Sequence, residues 1–147
     1  MDIESRLEEG ISLHQSGKLQ QAELIYQQIL QFNPENAEVH NLLGLIAYQV
    51  GKLQIATELI NQAIELEPSQ PKFFHNLGLV LKDQGNFVGA IRVYQKIVQV
   101  NPNDSEAYNN LGNVLQEQER FKEGIFAYRK AIEIDSNFAD AYYNLGN

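Results

Sequence analysis

The sequence of 147 residues contains no cysteine and no tryptophan, and it has only one methionine and four prolines. Without cysteine the chain has neither disulfide bridges nor thiolate chemistry, although this leaves its compartment open. It also lacks an apolar run long enough to span a bilayer. The first residues are acidic where a signal peptide would be basic. We therefore expect a cytoplasmic protein.

Positive charge is scarce as well. The chain has 11 lysines and arginines against 19 acidic residues, which gives a net charge of −8. Such a surface repels phosphate backbones and anionic lipids, so we expect no nucleic-acid partner and no membrane partner. The apolar fraction of 44% and the charged fraction of 20% are those of an ordinary globular chain.

What the sequence does contain is an internal repeat. Pro34, Pro68 and Pro102 are 34 residues apart. Several other columns keep the same step, and their members are Gly10, Gly44, Gly78, Gly112 and Gly146; Gly17, Gly51 and Gly85; Ala22, Ala56, Ala90 and Gly124; and Tyr26, Ile60, Tyr94 and Tyr128. Columns that share one register indicate a repeat architecture.

Each repeat contains two amphipathic helical patterns. Apolar residues recur at steps of three and four from Val39 to Val50, and again from Leu53 to Leu66. A glycine separates the two patterns and a proline follows the second. The predicted helices cover 3–16, 19–32, 37–49, 53–66, 71–84, 87–100, 105–118, 121–134 and 138–147. We predict N-caps at Asn36 and Asp104 and a first helical turn at Pro71.

Short linkers force neighbouring helices to pack antiparallel. The small residues of the Gly10 and Ala22 columns are expected to face each other, so that the two helix backbones approach closely. The Tyr26 column is expected to fill the space between consecutive pairs. Because no pair can bury its apolar stripe alone, the sequence predicts an all-α solenoid that is stabilised by stacking.

These columns resemble the tetratricopeptide repeat (TPR) family. The resemblance implies a right-handed superhelix of antiparallel helix pairs, whose first helices line a concave groove that binds peptides or partner helices. One array then covers 1–147, with repeats at about 3–36, 37–70, 71–104, 105–138 and a partial fifth at 139–147. The sequence departs from the family pattern at Glu9, Glu119 and Ser136. A left-handed Glu119 costs about 1 kcal/mol more than glycine.

The last seven residues nearly reproduce Ala107–Asn113, which lies inside a first helix. We therefore expect the chain to be part of a longer protein. Its final helix has no second helix to cover Tyr142, Tyr143 and Leu145, so we also expect self-association through this uncapped end.

The predicted groove is lined by residues of the first helices that are not needed for packing between helices. The candidate peptide-binding residues are Asn41, Leu45, Tyr48, His75, Asn76, Leu79, Asn109, Asn110, Asn113 and Asn144. An asparagine amide can pair with a peptide N–H and C=O together. The series is similar to the asparagine ladder in the repeat arm of O-linked N-acetylglucosamine transferases. The alternatives are that the amides only keep the groove hydrated, and that some of the leucines in its apolar half (Leu7, Leu42, Leu45 and Leu79) belong to the core.

The sequence does not favour a carboxylate-binding site or a metal site. Chaperone-type arrays hold a terminal carboxylate with cations, but the matching positions here carry Glu106 and Asp140, which would repel it. The three histidines, His14, His40 and His75, fall in different columns without metal-ligand spacing, and His40 is expected to be packed. We find no phosphate-binding loop and no nucleophile motif. We expect no enzyme activity, no metal site and no cofactor.

The sequence thus predicts a protein–protein interaction scaffold that binds a peptide or a partner protein. Two alternatives stay open. The chain could be the substrate-recruiting N-terminal arm of a larger enzyme of glycosyltransferase or methyltransferase type. It could also be a self-assembly module, whose partner is a second copy of the chain.

Overall fold

The computed structural model describes residues 1–146. Asn147, which the sequence analysis places in the fifth repeat, lies outside the described residues. The described part of the chain forms nine α-helices and no strand. The helices are α1 (Ile3–Gln15), α2 (Leu19–Phe32), α3 (Ala37–Gln49), α4 (Leu53–Leu66), α5 (Pro71–Asp83), α6 (Phe87–Val100), α7 (Ser105–Glu117), α8 (Phe121–Ile134) and α9 (Ala139–Gly146).

The ends of these helices lie within about one residue of the predicted ends, and the predicted caps are confirmed. Asn36 Oδ1 accepts a hydrogen bond of 3.1 Å from the Val39 amide. Asp104 Oδ1 accepts one of 3.0 Å from the Ala107 amide. Each carboxamide or carboxylate oxygen satisfies a first-turn N–H that has no partner within its helix.

The helices form two compact units, and the boundary falls inside α5. Unit 1 is Met1–Phe73, and unit 2 begins at Phe74. In unit 1, α1 packs on α2 and α3 packs on α4. In unit 2, α7 packs on α6 and α8, and α9 contacts both α7 and α8. No helix among residues 1–146 combines the length and the apolar character needed to cross a membrane.

The core of unit 1 shows which apolar residues of the first helices are used in packing. Its buried members are Ala22, Ile25, Tyr26, Ile29, Val39, Leu43 and Ile46. Leu7 and Leu42 are half-buried and pack against this cluster. These two leucines therefore take part in packing.

The repeated glycines serve two kinds of close contact. A Cβ atom on Gly112 would lie 2.5 Å from Cε1 of Tyr128, and one on Gly10 would lie 2.6 Å from Cε1 of Tyr26. The tyrosine column, expected between consecutive pairs, thus contacts the glycine of its own pair. The predicted backbone approach is also present, since a Cβ on Gly44 would lie 3.3 Å from the carbonyl oxygen of Ala56.

The turns between paired helices explain the second glycine column. Gly17, Gly51 and Gly85 have φ angles of 78°, 85° and 79°. Glu119 occupies the corresponding place with a φ of 58°, as predicted. The helix-ending hydrogen bond is retained there, since the Arg120 amide donates to the Leu115 carbonyl at 2.9 Å. The repeat therefore forces glutamate into a left-handed conformation.

Replacing Glu119 by glycine should raise the free energy of unfolding by about 0.5–1 kcal/mol. The left-handed conformation costs an L-residue roughly 1–2 kcal/mol, and the greater freedom of glycine in the unfolded chain offsets part of the gain. Urea denaturation followed by circular dichroism measures the change. Gln118→Gly is the matched control, because Gln118 has a φ of −91°. That variant should lose stability, and equal losses in the two variants would contradict the strain at Glu119.

The glycine–tyrosine contact predicts a second contrast in stability. Gly112→Ala should lower the free energy of unfolding by roughly 1–3 kcal/mol, because the new methyl group overlaps the Tyr128 ring. Gly124→Ala should be close to neutral, since the nearest atom to its Cβ is 3.3 Å away and the sibling positions Ala56 and Ala90 already hold alanine. Thermal or urea unfolding of both variants checks this, and a Gly112→Ala protein as stable as the parent would refute it.

Candidate peptide-binding site

The first helices α7 and α9 of unit 2 carry most of the predicted asparagines. Asn109 on α7 is only 5% exposed. Its Oδ1 accepts a hydrogen bond of 3.0 Å from Nδ2 of Asn144 on α9. Asn41, the member of the same column in unit 1, is 2% exposed. Asn41 and Asn109 therefore lie in the packed interior, and the Asn109–Asn144 bond joins two successive first helices.

A buried tyrosine holds the next part of the site. The hydroxyl of Tyr128 on α8 donates to Oδ1 of Asn113 at 2.8 Å and lies 3.1 Å from Oε1 of Gln116. The hydroxyl carries one proton, which the shorter contact gives to Asn113, and Gln116 lies within hydrogen-bond distance of the same group. The buried phenol therefore holds both amides close to the helix pair.

Asn113 and Asn144 line an open depression of about 500 Å³ in unit 2. Its other lining residues are Lys82, Gln116, Glu117 and Phe121. The depression is mostly polar, with one aromatic ring and one charge of each sign. Such a lining suits the alternating N–H and C=O groups of a polypeptide better than an apolar ligand.

Asn110 is the predicted residue whose amide is most available. It is half-buried, and among residues 1–146 its side chain has no hydrogen-bond partner. It lies one helical turn before Asn113 and occupies the same repeat column as Asn144. A partly desolvated amide gains more from a new hydrogen bond than one in bulk water. Asn110, Asn113 and Asn144, together with Gln116 and Lys82, form what we call the amide site.

His75 is already bonded to a structural residue. Its Nε2 lies 2.7 Å from Oδ2 of Asp104, the residue that caps α7. Its Nδ1 is sealed from solvent without a partner among the described residues. Of the other predicted residues on α5, Asn76 is half-buried and the Leu79 side chain is 37% exposed.

In unit 1 the remaining predicted residues, Leu45 and Tyr48, are both half-buried on α3. His40 is packed as predicted, with Nε2 2.8 Å from the Pro34 carbonyl oxygen. His14 is bonded within the unit, since its Nε2 lies 2.7 Å from Oε1 of Gln49. Among residues 1–146 no group of three or more histidine, aspartate or glutamate side chains could hold a metal ion.

The candidate peptide-binding residues include Asn113 and Asn144 but not the other four residues that line the depression, which are Lys82, Gln116, Glu117 and Phe121. Phe121 belongs to a second helix, α8, and nothing in its repeat column marks it as a site residue. Glu117 is the last residue of α7, where it looks like an ordinary exposed charge. Phe121 is brought to the site by the packing of α8 on α7.

Comparison with protein families identifies the class to which this all-α repeat chain belongs. Models described as tetratricopeptide repeat match residues 13–75 and 105–138, and a model described as TPR repeat matches residues 81–119. The chain belongs to the tetratricopeptide repeat family. The resemblance stated from the repeat columns is confirmed. The comparison with curated protein sequences gave no significant match.

Solved structures agree with the fold. A crystal structure of MamA superposes with a TM-score of 0.84 at 26% identity, covering 93% of this chain and 80% of MamA. PilF from Pseudomonas aeruginosa gives 0.88 at 19% identity, with 97% and 65% coverage. YrrB, described as a TPR protein with an unusual peptide-binding site, gives 0.79 at 23% identity, with 96% and 73% coverage. The predicted all-α TPR solenoid class is confirmed.

The buried tyrosines predict how stability changes at high pH. Burial raises the pKa of Tyr26 and of Tyr128 to about 12, and the nearby Glu38 and Glu117 carboxylates add to this. Between pH 10 and about 12 the unfolded chain binds fewer protons than the folded chain, so the free energy of unfolding should fall with pH. Below pH 10 both states hold these protons, and the effect vanishes.

Urea denaturation at several pH values measures this slope. A Tyr26→Phe and Tyr128→Phe double variant should show a shallower decline than the parent, because neither ring can ionise. Tyr142→Phe, which changes an exposed ring, is the matched control. A decline as steep in the double variant as in the parent would contradict the role of the two buried phenols.

Proposed function

We propose that this chain is a protein-interaction module that binds an extended polypeptide through the amide site of unit 2. Membership of the tetratricopeptide repeat family supports the interaction role. The observation that carries the choice of site is the half-buried amide of Asn110, which has no hydrogen-bond partner among residues 1–146 and lies one helical turn before Asn113 of the depression. We propose no catalysis and no cofactor for these residues.

The chemistry of the amide site favours the peptide backbone as its target. A carboxamide offers one acceptor and two donors, which match the C=O and N–H of an extended chain. Asn110 and Asn144 share a repeat column, so they can contact a chain at two successive points along the first helices. Because backbone groups are common to every sequence, such contacts give affinity without strong sequence preference.

The charges at the site disfavour a terminal carboxylate as the main target. Lys82 provides a cation, but Glu117 lines the same depression. The opposite charges leave no net positive field to hold an anion. We therefore propose that the ligand crosses the site as an internal, backbone-exposing segment, and that Phe121 contacts one of its side chains.

A displayed library of random peptides, selected against the parent protein, supplies a probe for this proposal. The peptide with the highest affinity is then measured by calorimetry against an Asn110→Ala variant. We expect the affinity to fall roughly five- to tenfold, which is the loss of one partly buried hydrogen bond of about 1–1.4 kcal/mol. The melting temperature should stay within about 1 °C, because Asn110 has no partner to lose.

Asn61→Ala is the matched control, because Asn61 is an exposed asparagine on the second helix α4. It should leave the affinity unchanged. A selected peptide that binds the Asn110→Ala variant as tightly as the parent would refute the amide site. A loss of equal size in both variants would attribute the effect to something other than the site, and would also refute it.

Other expectations remain predictions. These are the wider set of groove residues with members in unit 1, the cytoplasmic location, and self-association through the C-terminal helix. The roles of enzyme arm and self-assembly module likewise stay alternatives, and no contact among the described residues favours one of them over a peptide-binding scaffold.

A further inference from the structure

The second helices of unit 2 carry a concentration of positive charge. On α6, side chains spaced four residues apart form a row on one face of the helix, and the repeat places a matching row on α8. The six members are Val88, Arg92 and Lys96 on α6, and Lys122, Phe126 and Lys130 on α8. Four of them are cations, two are apolar, and none is acidic.

These side chains are available at the surface. Five of the six residues are exposed, and the Lys130 side chain is 39% exposed. The Phe126 ring is 62% exposed, and Nζ of Lys130 lies 5.8 Å from its centroid. The exposed Phe126 ring thus offers apolar surface beside two lysines of its own helix, Lys122 and Lys130.

Unit 1 provides an internal comparison, because the repeat places other residues at the same positions. The corresponding rows are Gln20, Leu24 and Gln28 on α2, and Gln54, Glu58 and Gln62 on α4. These rows contain no cation at all. In a chain with a net charge of −8, the four cations are therefore a local feature of α6 and α8 and not a consequence of the fold.

A groove of about 350 Å³ lies beside these rows, between α6, α7 and α8. Leu111, Leu115 and Ala127 contribute its apolar lining, and Phe126 and Lys122 also line it. Gln95 lines it from α6, and Arg92 lies one turn before Gln95 on the same face. The groove thus combines an apolar interior with the Lys122 cation on α8, and Arg92 lies one helical turn from its α6 side. We call it the outer groove.

The acid at the outer groove is already neutralised. Glu123 lines it, but both carboxylate oxygens accept hydrogen bonds from the Arg120 guanidinium, at 3.0 Å and 2.6 Å. This bidentate pair leaves Arg92 and Lys122 as the charges that an incoming ligand would meet.

We propose that the outer groove binds an acidic polypeptide segment. One apolar side chain of that segment enters the groove and contacts Phe126, while flanking carboxylates pair with Arg92 and Lys122. Charge complementarity sets the sign of the partner, because a cationic segment would meet like charge at both edges. The outer groove shares no lining residue with the depression at the amide site.

The geometry favours a polypeptide over other polyanions. The volume of the outer groove is at the low end for ligand pockets and suits one or two side chains. A bilayer or a nucleic acid is a broad polyanion, which would contact much more of the chain than four cations and would be repelled by the remaining negative charge. A narrow peptide touches only the basic rows.

The test uses a capped synthetic peptide in which one leucine is flanked on each side by glutamates. Its affinity is measured by fluorescence anisotropy at low salt for the parent and for an Arg92→Gln and Lys122→Gln double variant. We expect the double variant to bind roughly three- to tenfold more weakly, since two exposed ion pairs are lost. Raising the salt concentration should weaken binding to the parent more than binding to the variant.

A Lys18→Gln and Lys52→Gln double variant is the matched control. It removes the same two positive charges from unit 1, where Lys52 lines the corresponding groove between α2, α3 and α4. Its affinity for the acidic peptide should stay within about twofold of the parent. Equal losses in the two double variants would show a general charge effect, and would overturn the proposal.

The contact between Phe126 and the apolar side chain of the peptide is tested separately from the charges. Phe126→Ala should lower the affinity for the leucine peptide several-fold. It should barely change the affinity for a peptide with alanine in place of leucine, which already binds more weakly. Loss of peptide binding in Asn110→Ala but not in the Arg92→Gln and Lys122→Gln double variant would assign the peptide to the amide site and would overturn the proposal. Equal binding of the leucine and alanine peptides to the parent would overturn it. So would binding of the parent to phosphatidylglycerol vesicles without binding to the peptide.

Discussion

In three of its helix pairs the chain places a tyrosine ring directly on a glycine of the partner helix. The ring atoms lie so close that a methyl group on Gly10, Gly78 or Gly112 would overlap them. This contact sets how near the two helices of a pair can come, and the alanine column beside it allows the same approach along the backbone. Every other feature of the units, including the orientation of the first-helix side chains, depends on that spacing.

The same contact links the core to the surface. The Tyr128 ring is buried against Gly112, while its hydroxyl reaches Asn113 and Gln116 at the amide site. A residue that stabilises the helix pair therefore also holds two candidate ligand-binding amides close to it. Buried polar groups are costly unless they are bonded, so the packing of the ring and the position of the amides are fixed together.

The repeat also allows the sequence to vary at positions that do not take part in packing. The exposed rows of the second helices hold glutamines, leucine and glutamate in unit 1 but arginine, lysines and phenylalanine in unit 2. Because these positions contribute little to stability, they can differ between repeats without loss of fold. The same repeat therefore carries different surface chemistry on the second helices of its two units.

The sequence by itself determined the helices, their caps and the left-handed turn at Glu119, because these follow from local patterns that recur every 34 residues. It also indicated which helices carry the candidate site. Only the tertiary structure decided which asparagines are available. Asn109 and Asn110 are neighbours in the chain, but the helix turns by about 100° between them. Packing of α9 on α7 therefore buries the first and leaves the second open, and packing of α8 brings Phe121 to the same depression.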